Sequence, residues 1–150
     1  MPPTMEITVT ASRGKWRSRY LPAAARIVMG LPFVASGVAG LLGLTPPPPP
    51  SLPEGALAFA SALIKTGYMM PLIFATQVVV GVLLLSNRFV PLALVLLAPF
   101  LVNALAFHVF LERSGLPIVL VMMALGLYLA WQYRAAYHSI LAARHTPGAE

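Results

Sequence analysis

The sequence lacks cysteine altogether and contains few charged residues. Without cysteine, the chain forms no disulfide, offers no thiolate ligand to a metal and has no thiol nucleophile. Charged residues make up only 9% of its 150 residues, against about 25% in soluble globular domains. Hydrophobic residues, in contrast, make up 59%. This balance excludes an ordinary soluble domain and predicts an integral membrane protein.

Acidic residues are the scarcer charged group, with four Asp and Glu against ten Lys and Arg, which gives a net charge of +6. Nucleic-acid binding typically uses a basic patch interleaved with aromatic residues. The basic residues of this chain instead flank its apolar runs. We therefore exclude nucleic acid as a partner and interpret the positive charge as a signal for orientation in a membrane.

Long apolar runs predict an all-α fold, a bundle of four transmembrane helices. About 20 apolar residues are needed to cross a hydrocarbon core of roughly 30 Å. The runs are continuously apolar, whereas the strands of a transmembrane barrel alternate in polarity. Residues 20–137 thus form one membrane domain, with predicted spans at about 20–44, 68–86, 89–111 and 116–137.

The segments outside the spans carry most of the positive charge. Residues 1–19 are polar, basic and without helical periodicity, which predicts a mobile N-terminal arm, and residues 138–150 form a C-terminal tail. Only Lys65 and Arg113 lie on the opposite side of the predicted bundle. Because cytoplasmic segments collect Lys and Arg, both termini are predicted to be cytoplasmic. The basic residues on that side are Arg13, Lys15, Arg17, Arg19, Arg26, Arg88, Arg134 and Arg144.

The connection between the first two spans contains five consecutive prolines, in "TPPPPPSLPEG". Such a run favours a stiff polyproline II rod. Residues 56–66 after it can form a helix that is too short to cross a bilayer, so they are predicted to lie at the membrane interface. Gly67 and Pro71 argue against an unbroken helix into the second span.

Small residues recur along the first span, at Gly30, Gly37 and Gly40 and in the series Ala35, Ala39 and Gly43. Small residues spaced four apart allow close approach of membrane helices. We interpret this pattern as a packing surface.

Three polar residues lie at the same predicted depth in three different spans: Ser36, Gln77 and Asn103. Polar groups in hydrocarbon are costly, so each needs a partner or a function. Two interpretations stay open. These residues hold the helices together by hydrogen bonds, or Gln77 and Asn103 line a pocket for a polar head such as a quinone carbonyl, with His108 at its mouth.

His108 and Glu112 are four residues apart, so their side chains can meet on one helix face near the outer surface. Such a pair can pass protons or orient a ligand, although a histidine at a helix end is often simply solvated. Asn103, five residues before His108, is predicted to point elsewhere. One histidine and one carboxylate are too few ligands for a metal site, and we predict neither a metal nor a catalytic residue.

Two stretches resemble the DoxX-like family of bacterial membrane proteins. They are "RIVMGLPFVASGVAGL" and "TGYMMPLIFATQVVVGVLLLSNRFVPLALVLLAPFLVNALAFHVFL", and the likeness extends over about residues 26–137. The resemblance implies a four-helix protein of the bacterial inner membrane. Some members are similar to subunits of a thiosulfate:quinone oxidoreductase, and others associate with redox or detoxifying enzymes.

The chain departs from the family pattern in two places. Gln77 stands where the second helix commonly carries Glu, and residues 38–40 are Val-Ala-Gly where the first often carries Lys. A neutral amide can hold a carbonyl but cannot exchange protons. A proton-coupled role is therefore not expected.

These observations predict an integral membrane subunit or scaffold, without catalysis of its own, in a membrane-associated redox or detoxification complex. Its partners are the lipid bilayer and either other membrane or membrane-associated subunits or a second copy of itself. No cofactor is predicted from the residues alone. A quinone-binding subunit is the alternative, and a small solute carrier, disfavoured by the absence of an inverted repeat, is a third. The alternative places a quinone or another small ligand among Ser36, Gln77, Asn103, His108 and Glu112.

Overall fold

The computed structural model describes the backbone of residues 4–137 and the side chains of residues 20–137. Within these residues the chain forms five α-helices and one turn of 3₁₀-helix, with no strand, so the predicted all-α class is confirmed. The helices are α1 (Thr4–Leu41), α2 (Glu54–Lys65), α3 (Met69–Leu85), α4 (Val90–Phe110) and α5 (Leu116–Gln132), and the 3₁₀ turn is Arg134–Tyr137.

Helix α1 is much longer than the first predicted span. It begins at Thr4, so residues 4–19, predicted to lack helical periodicity, have helical backbone. The mobility predicted for this arm stays a prediction. Once a helix is nucleated, each added residue gains one backbone hydrogen bond, and Arg and Lys have high helix propensity. The polarity of this segment, which excluded it from the membrane span, does not prevent a helix.

The end of α1 is fixed by Gly43, which has a φ of +68°. The N–H of Leu44 donates to the carbonyl of Ala39, and the N–H of Gly43 donates to the carbonyl of Gly40. This pair of bonds is the Schellman motif, which places a left-handed residue just after a helix. A Cβ atom added at Gly43 would meet nothing within 4 Å, so its predicted role in a packing surface with Ala35 and Ala39 is wrong.

The break predicted at Gly67 is confirmed. Helices α2 and α3 meet at 90°, and Gly67 between them has a φ of +76°, which glycine adopts without steric cost. The hydroxyl of Thr66 accepts a hydrogen bond of 3.1 Å from the N–H of Met69 at the start of α3. The short helix after the polyproline segment is therefore a separate element that lies across the end of α3.

The remaining helices follow the predicted spans with small differences. Helices α4 and α5 pack against each other as an antiparallel hairpin. The predicted span 116–137 ends early as an α-helix, at Gln132. The last residues form a 3₁₀ turn, and Arg134 donates a hydrogen bond to the carbonyl of Trp131. Such tightening is common at the C-termini of helices.

Helices α1 and α3 form the closest helix pair because glycines line their contact. A Cβ atom at Gly37 would lie 2.7 Å from the carbonyl oxygen of Phe74 in α3. A Cβ atom at Gly81, in the second half of α3, would lie 2.6 Å from Cγ2 of Val34 and 2.8 Å from the carbonyl oxygen of Gly30. The packing role predicted for the glycines of α1 is therefore confirmed at Gly30, Gly37 and Gly40.

The core lies where α1, α3, α4 and α5 meet. Its largest fully buried side chains are Met29, Val80, Leu84, Val90, Leu97 and Leu129. Many other large apolar side chains are exposed, among them Leu31, Val82, Val102 and Leu127. Water would oppose this exposure, whereas hydrocarbon accommodates it. The surface is thus that of a membrane protein.

The helices differ in whether they are long enough to cross a membrane. Residues Tyr20–Leu41 and Val90–Phe110 are long and apolar enough to cross a membrane, and the bent pair α2 and α3 counts as a third crossing if taken together. Helix α5 is equally apolar in character but shorter, with 17 residues. Two or three crossings follow from length and composition within the described residues.

Candidate functional site

A cleft opens between α2, α3 and α4. It consists of two adjoining cavities of about 440 and 640 Å³, and we call them together the α3–α4 cleft. The smaller cavity is lined mainly by apolar side chains of the three helices, and the larger also touches the polyproline segment. The two cavities share Phe59, Leu63, Ile73, Gln77, Phe100 and Asn103.

Gln77 is the first polar residue of this cleft. Its amide oxygen accepts a hydrogen bond of 3.0 Å from the hydroxyl of Ser36, which joins α3 to α1. This bond orients the amide and leaves its NH₂ group, a donor, without a hydrogen bond among residues 20–137. Ser36 and Gln77, predicted to lie at the same depth, therefore form an interhelical hydrogen bond. The NH₂ group of Gln77 stays available as a donor to a ligand in the cleft.

Asn103 faces the same cleft from α4. It lines both cavities with Gln77, as its predicted depth requires. Its side chain is exposed, and its amide makes no hydrogen bond to any residue of the described part of the chain. The interpretation of the whole layer as interhelical hydrogen bonding therefore fails at Asn103, whose amide opens to the cavity.

The predicted contact between His108 and Glu112 is confirmed. Nδ1 of His108 lies 3.0 Å from Oε2 of Glu112 and 2.8 Å from its carbonyl oxygen. Both partners are acceptors, so we assign the ring proton to Nδ1. His108 also lines the larger cavity together with Asn103. The two residues were predicted to point apart, but the cavity is wide enough to reach both.

Glu112 organises the turn between α4 and α5. Its carboxylate accepts the N–H of Ser114 at 2.6 Å and the N–H of Gly115 at 3.2 Å. These hydrogen bonds, those of Ser114 first, lower the pKa of Glu112 to about 2. Since the carboxylate is committed to the turn and to His108, we assign it to the turn and not to a ligand.

Two parts of the cleft were not predicted. Thr45 and Pro46 to Pro49 line the larger cavity, and Phe59 of α2 stacks near Phe107 of α4 with ring centroids 5.5 Å apart. The sequence carries only an indirect signal for this part of the cleft. An apolar helix that is too short to cross the bilayer needs an apolar surface to pack against, but its sequence does not indicate which surface. Neither the polyproline segment nor α2 carries a polar motif that points to a site.

Metal binding has no support at this cleft. In the part of the chain that the structure describes, no three His, Cys, Asp or Glu residues are close enough to hold a metal ion. His108 and Glu112 contact each other within residues 20–137, but they are only two of the ligands that a metal site needs. The chemistry on offer is hydrogen bonding from neutral amides in an apolar setting.

Comparison with known proteins finds a family model that matches the chain. The searches of curated protein sequences and of solved structures find no match to the chain. The family model named DoxX matches residues 21–110, which is more than half of the chain. The matched segment includes the apolar part of α1 from residue 21 onward and the whole of α2, α3 and α4. The predicted resemblance, which was expected over about residues 26–137, is confirmed as far as residue 110, and the chain belongs to the DoxX family of membrane proteins.

Proposed function

We propose that this protein is a four-span integral subunit of the bacterial cytoplasmic membrane that binds the head of a quinone in the α3–α4 cleft. In this proposal it serves a membrane-associated redox or detoxification complex and has no catalysis of its own. The observation that carries the proposal is a pair of amide NH₂ groups, those of Gln77 and Asn103, that make no hydrogen bond within residues 20–137 and lie on the wall of an apolar cavity.

The chemistry of the cleft fits a quinone head. A quinone ring is apolar, and its carbonyl oxygens accept hydrogen bonds. The NH₂ groups of Gln77 and Asn103 are donors, and ligand sites generally combine apolar walls with a few polar groups in volumes of about 300–1,000 Å³. Because neutral amides do not exchange protons, the subunit would position the quinone, and electron and proton transfer would belong to a partner.

Four spans are supported by the lengths of α3 and α5. Each helix has 17 residues, which is the lower limit of the range that crosses a bilayer. With α3 as a span by itself, α2 lies across its end in the interface, as its 90° angle to α3 permits. This arrangement makes every one of the four apolar runs a crossing.

Binding of a quinone is tested with the purified protein and a short-chain quinone analogue. We expect the analogue to raise the unfolding temperature of the protein and to bind with measurable affinity. Asn103→Leu and Gln77→Leu should each weaken binding by about three- to tenfold, since a hydrogen bond contributes about 0.5–1.5 kcal/mol. The dissociation constant from titration is the measurement.

Thr76→Val is the matched control for these variants. Thr76 lines the smaller cavity, but its hydroxyl already donates to the carbonyl of Leu72 at 2.8 Å. Its replacement should leave the affinity for the analogue unchanged. If the analogue binds none of the proteins, or binds the two amide variants as well as the unchanged chain, the quinone site is wrong and the scaffold function stands alone.

The orientation is tested by reporter fusions. Reporters at the N-terminus, in the turn at Asn87 and at the C-terminus should lie in the cytoplasm, whereas reporters at Pro48 and Ser114 should lie in the periplasm. The excess of basic residues at the first set of positions is the reason. A C-terminal reporter found in the periplasm, with the N-terminal one in the cytoplasm, would show an odd number of crossings and overturn the four-span arrangement.

A further inference from the structure

Another cavity, lined largely by polar side chains, lies at the opposite end of the bundle from the α3–α4 cleft. It has a volume of about 470 Å³ and is bounded by the start of the apolar part of α1, the turn between α3 and α4, and the end of α5. Its polar side chains are Tyr20, Arg26, Asn87, Gln132 and Tyr133. Nothing in the proposed function uses this cavity.

Arg26 lines this cavity and has neutral hydrogen-bond partners. Its Nη1 donates to Oδ1 of Asn87 and lies 2.7 Å from the hydroxyl oxygen of Tyr133. The same hydroxyl lies 3.2 Å from Oδ1 of Asn87, so the three side chains form a closed cluster. An amide and a phenol orient the guanidinium but do not neutralise it, because neither carries a charge.

Within residues 20–137, no carboxylate lies beside Arg26. The acidic residues among residues 20–137 are Glu54 and Glu112, and both lie at the other end of the bundle, where Gly55 of α2 packs beside Leu111. Helix α4 runs from one end of the bundle to the other, and its 21 residues give it a length of about 30 Å. Arg88 and Arg134 add positive charge to the end where Arg26 lies. No acidic residue among residues 20–137 therefore compensates the half-buried charge of Arg26.

We infer that this cavity binds a phosphate group, either the head group of an anionic phospholipid or a free phosphate from water. Guanidinium groups present several N–H donors in a fixed geometry that matches phosphate oxygens. Nη1 is committed to Asn87 and Tyr133, while Nε and Nη2 make no hydrogen bond within residues 20–137. Basic pockets between helices near a membrane surface are suited to anionic lipid heads.

Asn87 supplies a sharp test of this inference. Its φ of +55° places it in the left-handed position just after α3, where its N–H donates to the carbonyl of Leu84. Aspartate tolerates this conformation nearly as well as asparagine. Asn87→Asp therefore keeps the shape of the turn but places a carboxylate against Arg26. The new internal counter-ion should displace the phosphate.

The experiment uses the purified full chain in neutral detergent, with thermal unfolding and titration as readouts. Phosphatidylglycerol added to the micelles should raise the unfolding temperature, whereas phosphatidylcholine should not. Arg26→Gln and Asn87→Asp should each weaken the affinity for phosphatidylglycerol by about tenfold, the size expected for a charge-assisted hydrogen bond. Arg134→Gln is the matched control, because it removes one positive charge from the same end, at a side chain that stacks on Trp131 outside the cavity.

The two sources of phosphate give different results. If inorganic phosphate in the buffer stabilises the protein as strongly as phosphatidylglycerol, and does so only with Arg26 and Asn87 intact, the site takes a soluble phosphate. If only the lipid stabilises it, the ligand is a head group. The inference is overturned if neither probe stabilises the unchanged protein, or if Arg26→Gln and Asn87→Asp bind phosphatidylglycerol as tightly as the unchanged protein and Arg134→Gln do. Because this cavity is remote from Gln77 and Asn103, its failure and that of the quinone proposal are independent.

Discussion

Alanine at Gly37 or Gly81 is expected to destabilise the protein by about 1–3 kcal/mol, because the added methyl group has no room between α1 and α3. At Gly37 the new Cβ would meet the backbone oxygen of Phe74 at 2.7 Å, and at Gly81 it would meet the backbone oxygen of Gly30 at 2.8 Å. Backbone atoms cannot rotate away as a side chain can, so the two helices must separate. Thermal unfolding in detergent measures the loss of stability.

Gly126→Ala is the control for these two variants. It also lies inside a helix, but its new Cβ would meet only the ends of two flexible side chains, Leu101 at 3.3 Å and Met29 at 3.7 Å. Alanine has a higher helix propensity than glycine by about 1 kcal/mol, so Gly126→Ala should be nearly neutral. The double variant of Gly37 and Gly81 should cost less than the sum of the single changes, since both separate the same helix pair. Equal stability of all three single variants would show that α1 and α3 do not touch through glycine.

The helices were predictable from the sequence because each depends on local signals. Continuous apolar runs gave α3, α4 and α5 to within a few residues, apart from the last turn of α5. Gly67 marked the sharp bend because a positive φ favours glycine whatever surrounds it. Glycine spacing along α1 predicted a packing surface, but it did not name α3 as the partner or reveal Gly81. Gly43 was assigned to that surface because spacing alone does not distinguish a packing glycine from one that ends a helix.

The candidate sites were predictable only in part, for a similar reason. Depth along each span placed Gln77 and Asn103 at one level, since rise per residue is the same in every α-helix. Whether Asn103 faces a neighbour or a cavity depends on the order of helices around the bundle, which local sequence does not encode. The cluster of Arg26, Asn87 and Tyr133 joins residues 61 and 107 positions apart. No spacing rule connects such residues, and only the folded chain brings them together.

Glu112→Ala is expected to open the turn between α4 and α5. The substitution removes the acceptor of two backbone N–H groups, those of Ser114 and Gly115, and the partner of His108 Nδ1. Arg113 in the same turn is a natural trypsin site, and cleavage of a folded protein follows the population of locally open molecules. We expect cleavage after Arg113 to become about tenfold faster, which mass spectrometry of the fragments measures. Cleavage at Lys65, in α2, should keep its rate and serves as the internal control.

The same turn should respond to pH in a defined direction. The pKa of Glu112 is lowered from 4.5 to about 2 by hydrogen bonds to the ionised carboxylate, above all from Ser114. A lowered pKa means that ionisation favours the folded turn. This contribution is complete above pH 4.5 and is lost as pH falls through about 2. Hydrogen exchange at the amides of Ser114 and Gly115, corrected for intrinsic rates, should therefore stay protected at pH 4 and lose protection towards pH 2. In Glu112→Gln the protection should no longer change over this interval, because an amide does not titrate. Protection already lost by pH 4 in the unchanged protein would contradict a carboxylate held by the turn.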